Sequence, residues 1–209
     1  MEHPELIRYR KAIEKGPWTH VIGVDECGAG AWAGPLVVCA AAVPVDWVGP
    51  EGLNDSKKLT RKKREALFAL MDGPVPYTVA HSGSVTVDMM GLGKTLDVSF
   101  RQAVEGMLYF FPKSLVVLDG VLHHDLTHPH ICLPKADGLV PAVMAASVLG
   151  KVTRDLEMVE YDRLYPGYDF AKSVGYGTAA HQVGLKKLGV SPLHRRSYAP
   201  IKKILEGAP

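Results

Sequence analysis

Cysteine is scarce in this 209-residue chain. Cys27, Cys39 and Cys132 form an odd set with no CxxC spacing, which argues against a disulfide framework and a thiolate zinc site. Long apolar runs are also missing. Nothing approaches the roughly 18 to 20 consecutive apolar residues of a membrane span, and the opening MEHPELIRYRKAIEK is charged where a signal peptide is apolar. A soluble, cytoplasmic protein is expected. There is no internal repeat or low-complexity tract, and Gly and Pro are spread as punctuation, so no long linker divides the chain. With 47% hydrophobic residues it can bury a core, and one domain over residues 1–209 is the simplest organisation.

Charge of one sign is lacking overall, because 24 basic and 22 acidic residues leave a formal +2. Its distribution is uneven. Six basic residues (Lys57, Lys58, Arg61, Lys62, Lys63, Arg64) stand together without an acidic one. From Phe170 to the end, seven basic residues, among them Arg195 and Arg196, face only Glu206. Such clusters are either solvated helix faces or the footprint of a polyanionic partner.

Short β-branched apolar runs predict strands at 20–26 (HVIGVDE), 36–43 (LVVCAAAV), 77–84, 115–119 (LVVLD) and 131–133. Apolar residues Leu96, Phe100, Ala103, Met107 and Phe111 recur at helical spacing, and a second such stripe runs from Leu139 to Val159, rich in small residues that demand close packing. Three strands, then helix, strand, loop and strand predict an α/β fold, a mixed five-stranded sheet flanked by helices.

The chemistry is read from acidic residues at the ends of apolar strands, where an uncompensated carboxylate is costly to desolvate. Asp25 and Glu26 close the first strand, and they share one site only if the chain bends, which Gly28 and Gly30 permit. Asp119 closes LVVLD. Asp137 precedes the long helix, where N-capping is the simpler alternative. No Arg or Lys partners them in immediate sequence, so four converging carboxylates would repel one another unless cations lie between them. All-oxygen ligands favour Mg²⁺ or Mn²⁺, and two such ions about 4 Å apart suit in-line displacement at a phosphodiester.

Seven strings, GVDECGAGAWAGPLVVCAAAV, LNDSKKL, VVLDG, KADGLVPAVMAASVLGKVTRD, YPGYDF, VGYGTAAH and SPLHRRSY, resemble in order the motif set of type 2 ribonuclease H, ribonuclease HII, from about Val21 to Pro200. The resemblance implies an RNase H-like fold with a helical, substrate-binding C-terminal region at about 165–209. It also implies a monomeric, metal-dependent endonuclease acting on RNA/DNA hybrids and on the 5′ side of ribonucleotides embedded in duplex DNA, which starts ribonucleotide removal. The family's acidic quartet maps onto Asp25, Glu26, Asp119 and Asp137. By the same resemblance Lys57 contacts substrate phosphate, Tyr176 packs on the sugar beside the ribonucleotide, and His181, Arg195 and Arg196 shape or charge the groove.

Two departures stand out. The family's Gly-Arg-Gly loop is here Gly28, Ala29, Gly30, which keeps close backbone approach but removes a charge-assisted phosphate contact. The Lys often found before GYGT is Val174. Weaker binding or a relaxed preference for single ribonucleotides is expected, with a catalytically impaired nucleic-acid-binding relative as the alternative. Two other readings compete. GLGKT at 91–95 resembles the tail of a P-loop but has Asp88 where the first glycine belongs. His123, His124, His128 and His130 lie near Cys132 without a firm zinc spacing.

Overall fold

A computed structural model describes residues 3–120 and 126–207. The strands are β1 (His20–Cys27), β2 (Leu36–Pro44), β3 (Tyr77–Ser82), β4 (Ser114–Asp119) and β5 (His130–Leu133), in a five-stranded mixed sheet of order β3-β2-β1-β4-β5. Each falls where its apolar run predicts. β1 pairs in parallel with β4, and β4 with β5, so β1 is covered on both faces and reads as a continuous apolar run rather than an alternation.

The helices are α1 (Pro4–Glu14), α2 (Arg61–Met71), α3 (Ser84–Met90), α4 (Leu92–Phe110), α5 (Pro141–Leu164), α6 (Phe170–Ser173), α7 (Ala179–Leu188) and α8 (Ala199–Leu205). The small residues of α5 serve the predicted close packing: Ala142, Ala145 and Ala146 are buried. A Cβ on Gly23 of β1 would come within 2.1 Å of the Ala142 carbonyl carbon, so only glycine lets the helix lie so near the strand. Asp137 is not the N-cap of this helix. It sits in a separate 3₁₀ turn, Ala136–Gly138, before Pro141 begins α5.

The chain forms two compact units. The first comprises Met1–Glu26, Val38–Ala80 and Asp97–Val152, and its core gathers Val21, Cys39, Ala41, Val117, Leu133, Val143, Ala146 and Leu149. The second comprises Cys27–Val37, His81–Leu96 and Thr153–Pro209, with a core of Ala33, Met158, Tyr168, Phe170, Leu185 and Ile201. The helical region expected at 165–209 lies wholly in this second unit, which also takes in the glycine loop after β1.

The P-loop reading ends here. Gly91 caps the C-terminus of α3, so a helix and not a strand leads into it. Asp88, in the place of the missing glycine, accepts hydrogen bonds from the backbone N–H groups of Arg196 and Ser197. The histidines of the other rival serve backbone: His128 Nε2 lies 2.8 Å from the Ser114 carbonyl and His130 Nδ1 lies 3.0 Å from the His128 carbonyl. His123 and His124 lie outside the described residues.

Candidate active site

Parallel pairing decides where the acids go. The β1–β4 register runs from His20↔Ser114 to Val24↔Leu118, so one further step sets Asp25 beside Asp119 at the carboxyl end of the sheet. β5 ends at the same edge, with Asp119 opposite Leu133, and four residues later the 3₁₀ turn presents Asp137.

The four carboxylates feel one another. Burial holds the Asp25 carboxyl well above its ordinary range, and Glu26 and Asp119 add to this, while a Ser147 hydroxyl bond and Lys57 oppose it. Glu26 is raised by burial and by Asp119 and Asp137. Asp119 is raised by burial and by Asp137, against the backbone N–H groups of Asp137 and Ala136, which favour its charged form. The Asp25 carboxylate also accepts the Glu26 N–H at 2.9 Å, and the Ser147 and Ser56 hydroxyl oxygens lie 2.8 Å apart behind it.

The quartet has a cation from a distant segment, which immediate sequence does not offer it. Lys57 Nζ lies 3.1 Å from Asp137 Oδ2. Burial works against its charge, but the bond to Asp137 and the fields of Asp25, Asp137 and Asp55 raise its pKa. The expected phosphate-binding lysine therefore stands on a carboxylate in this state. Most of its side chain is exposed, so the pair is readily exchanged for another anion.

Among the described residues no three acidic, imidazole or thiol groups already stand together as a finished metal site. The donor set nevertheless fits a hard divalent ion. It is all oxygen, and Asp119 Oδ1 is buried with no hydrogen-bond partner among the described residues. An orphaned buried acceptor of this kind is costly and calls for a ligand.

The other expected residues gather in the second unit. Gly28 has φ +85°, and a Cβ there would come within 2.2 Å of Arg154 Nε, so the loop after β1 requires glycine. Gly30 is open, and a Cβ on it would meet the Tyr176 ring at 3.8 Å. Tyr176 is 38% exposed. Two hydrogen bonds fasten its turn to the end of the glycine loop, the N–H groups of Trp32 and Ala33 donating to the Gly175 carbonyl.

Of the two roles expected for Arg195, shaping or charging the groove, its complete burial suits the first. Its guanidinium donates to the carbonyls of Ala29 and Gly34 and to the Tyr198 hydroxyl. It shapes the loop rather than gripping phosphate. Arg196 is exposed.

Two features escaped the sequence reading. Arg154 is fully buried and donates to the Pro35 and Val174 carbonyls at 2.9 Å and to Ala33 at 3.4 Å, with its Cζ 5.9 Å from the Tyr176 ring centroid. Its signal was an arginine set within the apolar stripe of α5. His181 and His194 form a buried relay with one consistent proton arrangement. His181 Nδ1–H donates to the Tyr176 carbonyl at 2.9 Å, His194 Nε2–H donates to His181 Nε2 at 3.0 Å, and His194 Nδ1 accepts the Ser191 N–H at 3.0 Å. Burial lowers both pKa values, that of His194 to about 4 with help from His181.

A mixed five-stranded sheet of order β3-β2-β1-β4-β5 flanked by helices is the fold of an RNase H-like protein. The ribonuclease HII family model matches residues 22–201. The ribonuclease HII of Desulfitobacterium hafniense (strain Y51) is 39% identical over 202 residues, covering 96% of this chain and 76% of that protein. The crystal structure of ribonuclease H2 from Pyrococcus horikoshii OT3 superposes with a TM-score of 0.72 at 25% identity, covering 90% of this chain and 98% of that one. Bst-RNase HIII in complex with Mn²⁺ gives a TM-score of 0.72 at 22% identity, covering 94% and 72%, which shows a shared fold. The chain belongs to the ribonuclease HII family, and is thus an endonuclease of the ribonuclease H class acting on RNA/DNA hybrids.

Proposed function

We propose that this protein is a divalent-metal-dependent monomer that hydrolyses the RNA strand of RNA/DNA hybrids and incises duplex DNA on the 5′ side of an embedded ribonucleotide. The net reaction adds water across the P–O3′ bond, leaving a 3′-hydroxyl and a 5′-phosphate. The observation that carries the reading is the buried Asp119 Oδ1, which has no hydrogen-bond partner among the described residues, beside three further carboxylates. Asp25, Glu26, Asp119 and Asp137 would hold Mg²⁺ or Mn²⁺, in accord with the Mn²⁺ complex of the fold neighbour. When bound, such ions supply Lewis acidity at the scissile phosphodiester and neutralise charge on the leaving oxygen.

The chain's own residues do the rest. The Asp137 and Ala136 amides and the Ser147 hydroxyl orient the carboxylates. Lys57, freed from Asp137, offers a point charge to a phosphate. Gly28, Ala29 and Gly30 bring backbone close to a 2′-hydroxyl, and Tyr176 offers its ring face to the neighbouring deoxyribose. Exposed Lys172, Lys186, Lys187, Arg196 and Lys203 add sequence-independent affinity that falls with salt.

The test is cleavage of two labelled duplexes, one with a single ribonucleotide and one with a full RNA strand, each with Mg²⁺ and with Mn²⁺. Cleavage of both is expected, and Asp119→Asn should lose more than about 100-fold, the upper range for groups that merely support a metal ligand. Equal cleavage by Asp119→Asn refutes the assignment.

A further inference from the structure

We infer that the first unit carries a second phosphate subsite, built by Lys135 and Lys58, that holds an internal phosphodiester of the nucleic-acid backbone flanking the scissile one. The inference rests on the nuclease reading and adds a contact to it.

A cavity of about 400 Å³ opens beside the catalytic edge, lined by Lys57, Lys58, Lys135, Asp55, Asp137 and Gly138. Three ammonium groups face two carboxylates there, so the cavity is cationic on balance. The basic cluster seen in the sequence does not enter it whole. Arg61 pairs with Glu65 at 2.9 Å, and Arg64 donates to the carbonyls of Ser56 and Leu59 at the start of α2. Lys57 stands on Asp137. Lys62 and Lys63 do not line it. Lys58 does, and among the described residues its ammonium has a long 3.9 Å contact with Asp55 and lies over Gly138, where a Cβ would come within 3.3 Å of Nζ.

Lys135 completes the set from a distant segment. It is exposed and its ammonium has no carboxylate partner among the described residues. Its backbone is left-handed, φ 61° and ψ 32°, a conformation that is strained for a lysine. Glycine or asparagine would occupy that position without the strain, and neither would bring a cation to the cavity. The strained residue lies two positions before Asp137, so a phosphate held there is kept in register with the catalytic edge. A compact ammonium is suited to a phosphate as a point charge, and a cationic concavity raises the local concentration of a polyanion.

The experiment measures binding of a ribonucleotide-containing duplex to full-length protein in an Asp119→Asn background, as a function of salt. Lys135→Gln is expected to weaken binding roughly fivefold to tenfold at low salt and to reduce the slope of log K against log[salt] by about one, the signature of one lost phosphate contact. Lys135→Arg should restore both. Lys135→Gly should melt at a higher temperature than wild type yet bind like Lys135→Gln, which separates folding from binding. An unchanged salt slope in Lys135→Gln, or an arginine variant as weak as the glutamine one, overturns the subsite. So does an effect confined to nicked duplexes with a terminal 5′-phosphate, since that would be a product-end site. If Asp119-intact wild type cleaves no hybrid at all, the nuclease reading fails instead.

Discussion

Replacing Arg154 by methionine should unfold the second unit at a markedly lower temperature. The guanidinium is fully buried and its two good hydrogen bonds, to Pro35 and Val174 at 2.9 Å, join segments far apart in sequence. The third, to Ala33 at 3.4 Å, is long and is counted as nothing. Charge-assisted bonds contribute about 1.5–3 kcal/mol each, so two give about 3–6 kcal/mol. Removing a buried cation returns part of this as relieved desolvation. The net loss is about 3–4 kcal/mol, or roughly 6–16 °C for a chain of this size. Arg154→Lys should fall between, because an ammonium keeps the charge but not the planar fork. Differential scanning calorimetry measures the shift, and incision of a single-ribonucleotide duplex below the melting range measures whether the Gly30–Tyr176 surface has loosened. A melting temperature within about 2 °C of wild type would show that the carbonyls find other donors and that the argument is wrong.

Three further outcomes follow from the same geometry. Asp25, Glu26 and Asp119 have raised pKa values in the folded chain, so they bind protons more tightly folded than unfolded. In chelator, the stability they contribute is present in acid and lost as pH rises from the ordinary carboxylate range through their folded values. The wild type should therefore lose melting temperature relative to Asp25→Asn as pH rises from 4 to 8, and Mn²⁺ should close the gap; a constant difference across that range refutes it. His194 has the opposite sense. Its pKa is lowered to about 4, so its stability is present above its unfolded value and lost as pH falls through the folded one. Its imidazole NMR signals should hold neutral shifts down to about pH 5, and titration near the ordinary histidine value of about 6.5 would refute the relay. Finally, Ala29→Arg should strengthen binding and sharpen preference for a single ribonucleotide over a full RNA strand, measured as the ratio of cleavage rates; an unchanged ratio and affinity would show that the loop's missing charge is immaterial.

The strands and the acids were legible because each is a local signal. Apolar β-branched runs announce strands buried on both faces, and a carboxylate at the end of such a run is conspicuous whatever surrounds it. Lys57 was legible only as a motif. Its bond to Asp137 spans 80 positions and exists because the turn before α2 and the turn after β5 meet, a fact that no local spacing encodes. Which of its two expected roles Arg195 takes was hidden for the same reason. In sequence it is one of a basic pair beside Arg196, yet folding turns it inward onto the Ala29 and Gly34 carbonyls and leaves its neighbour in water.

By itself, then, the order of residues determined the strands and the family and singled out four acids at strand ends, since these depend on periodicity and on costly groups placed among apolar ones. Only the tertiary structure decided which cations are spent on backbone carbonyls, which stand on carboxylates, and which, like Lys135, remain available. Those choices depend on desolvation and hydrogen-bond geometry between segments 80 to 166 residues apart, and such distances become contacts only when the sheet and helices are in place.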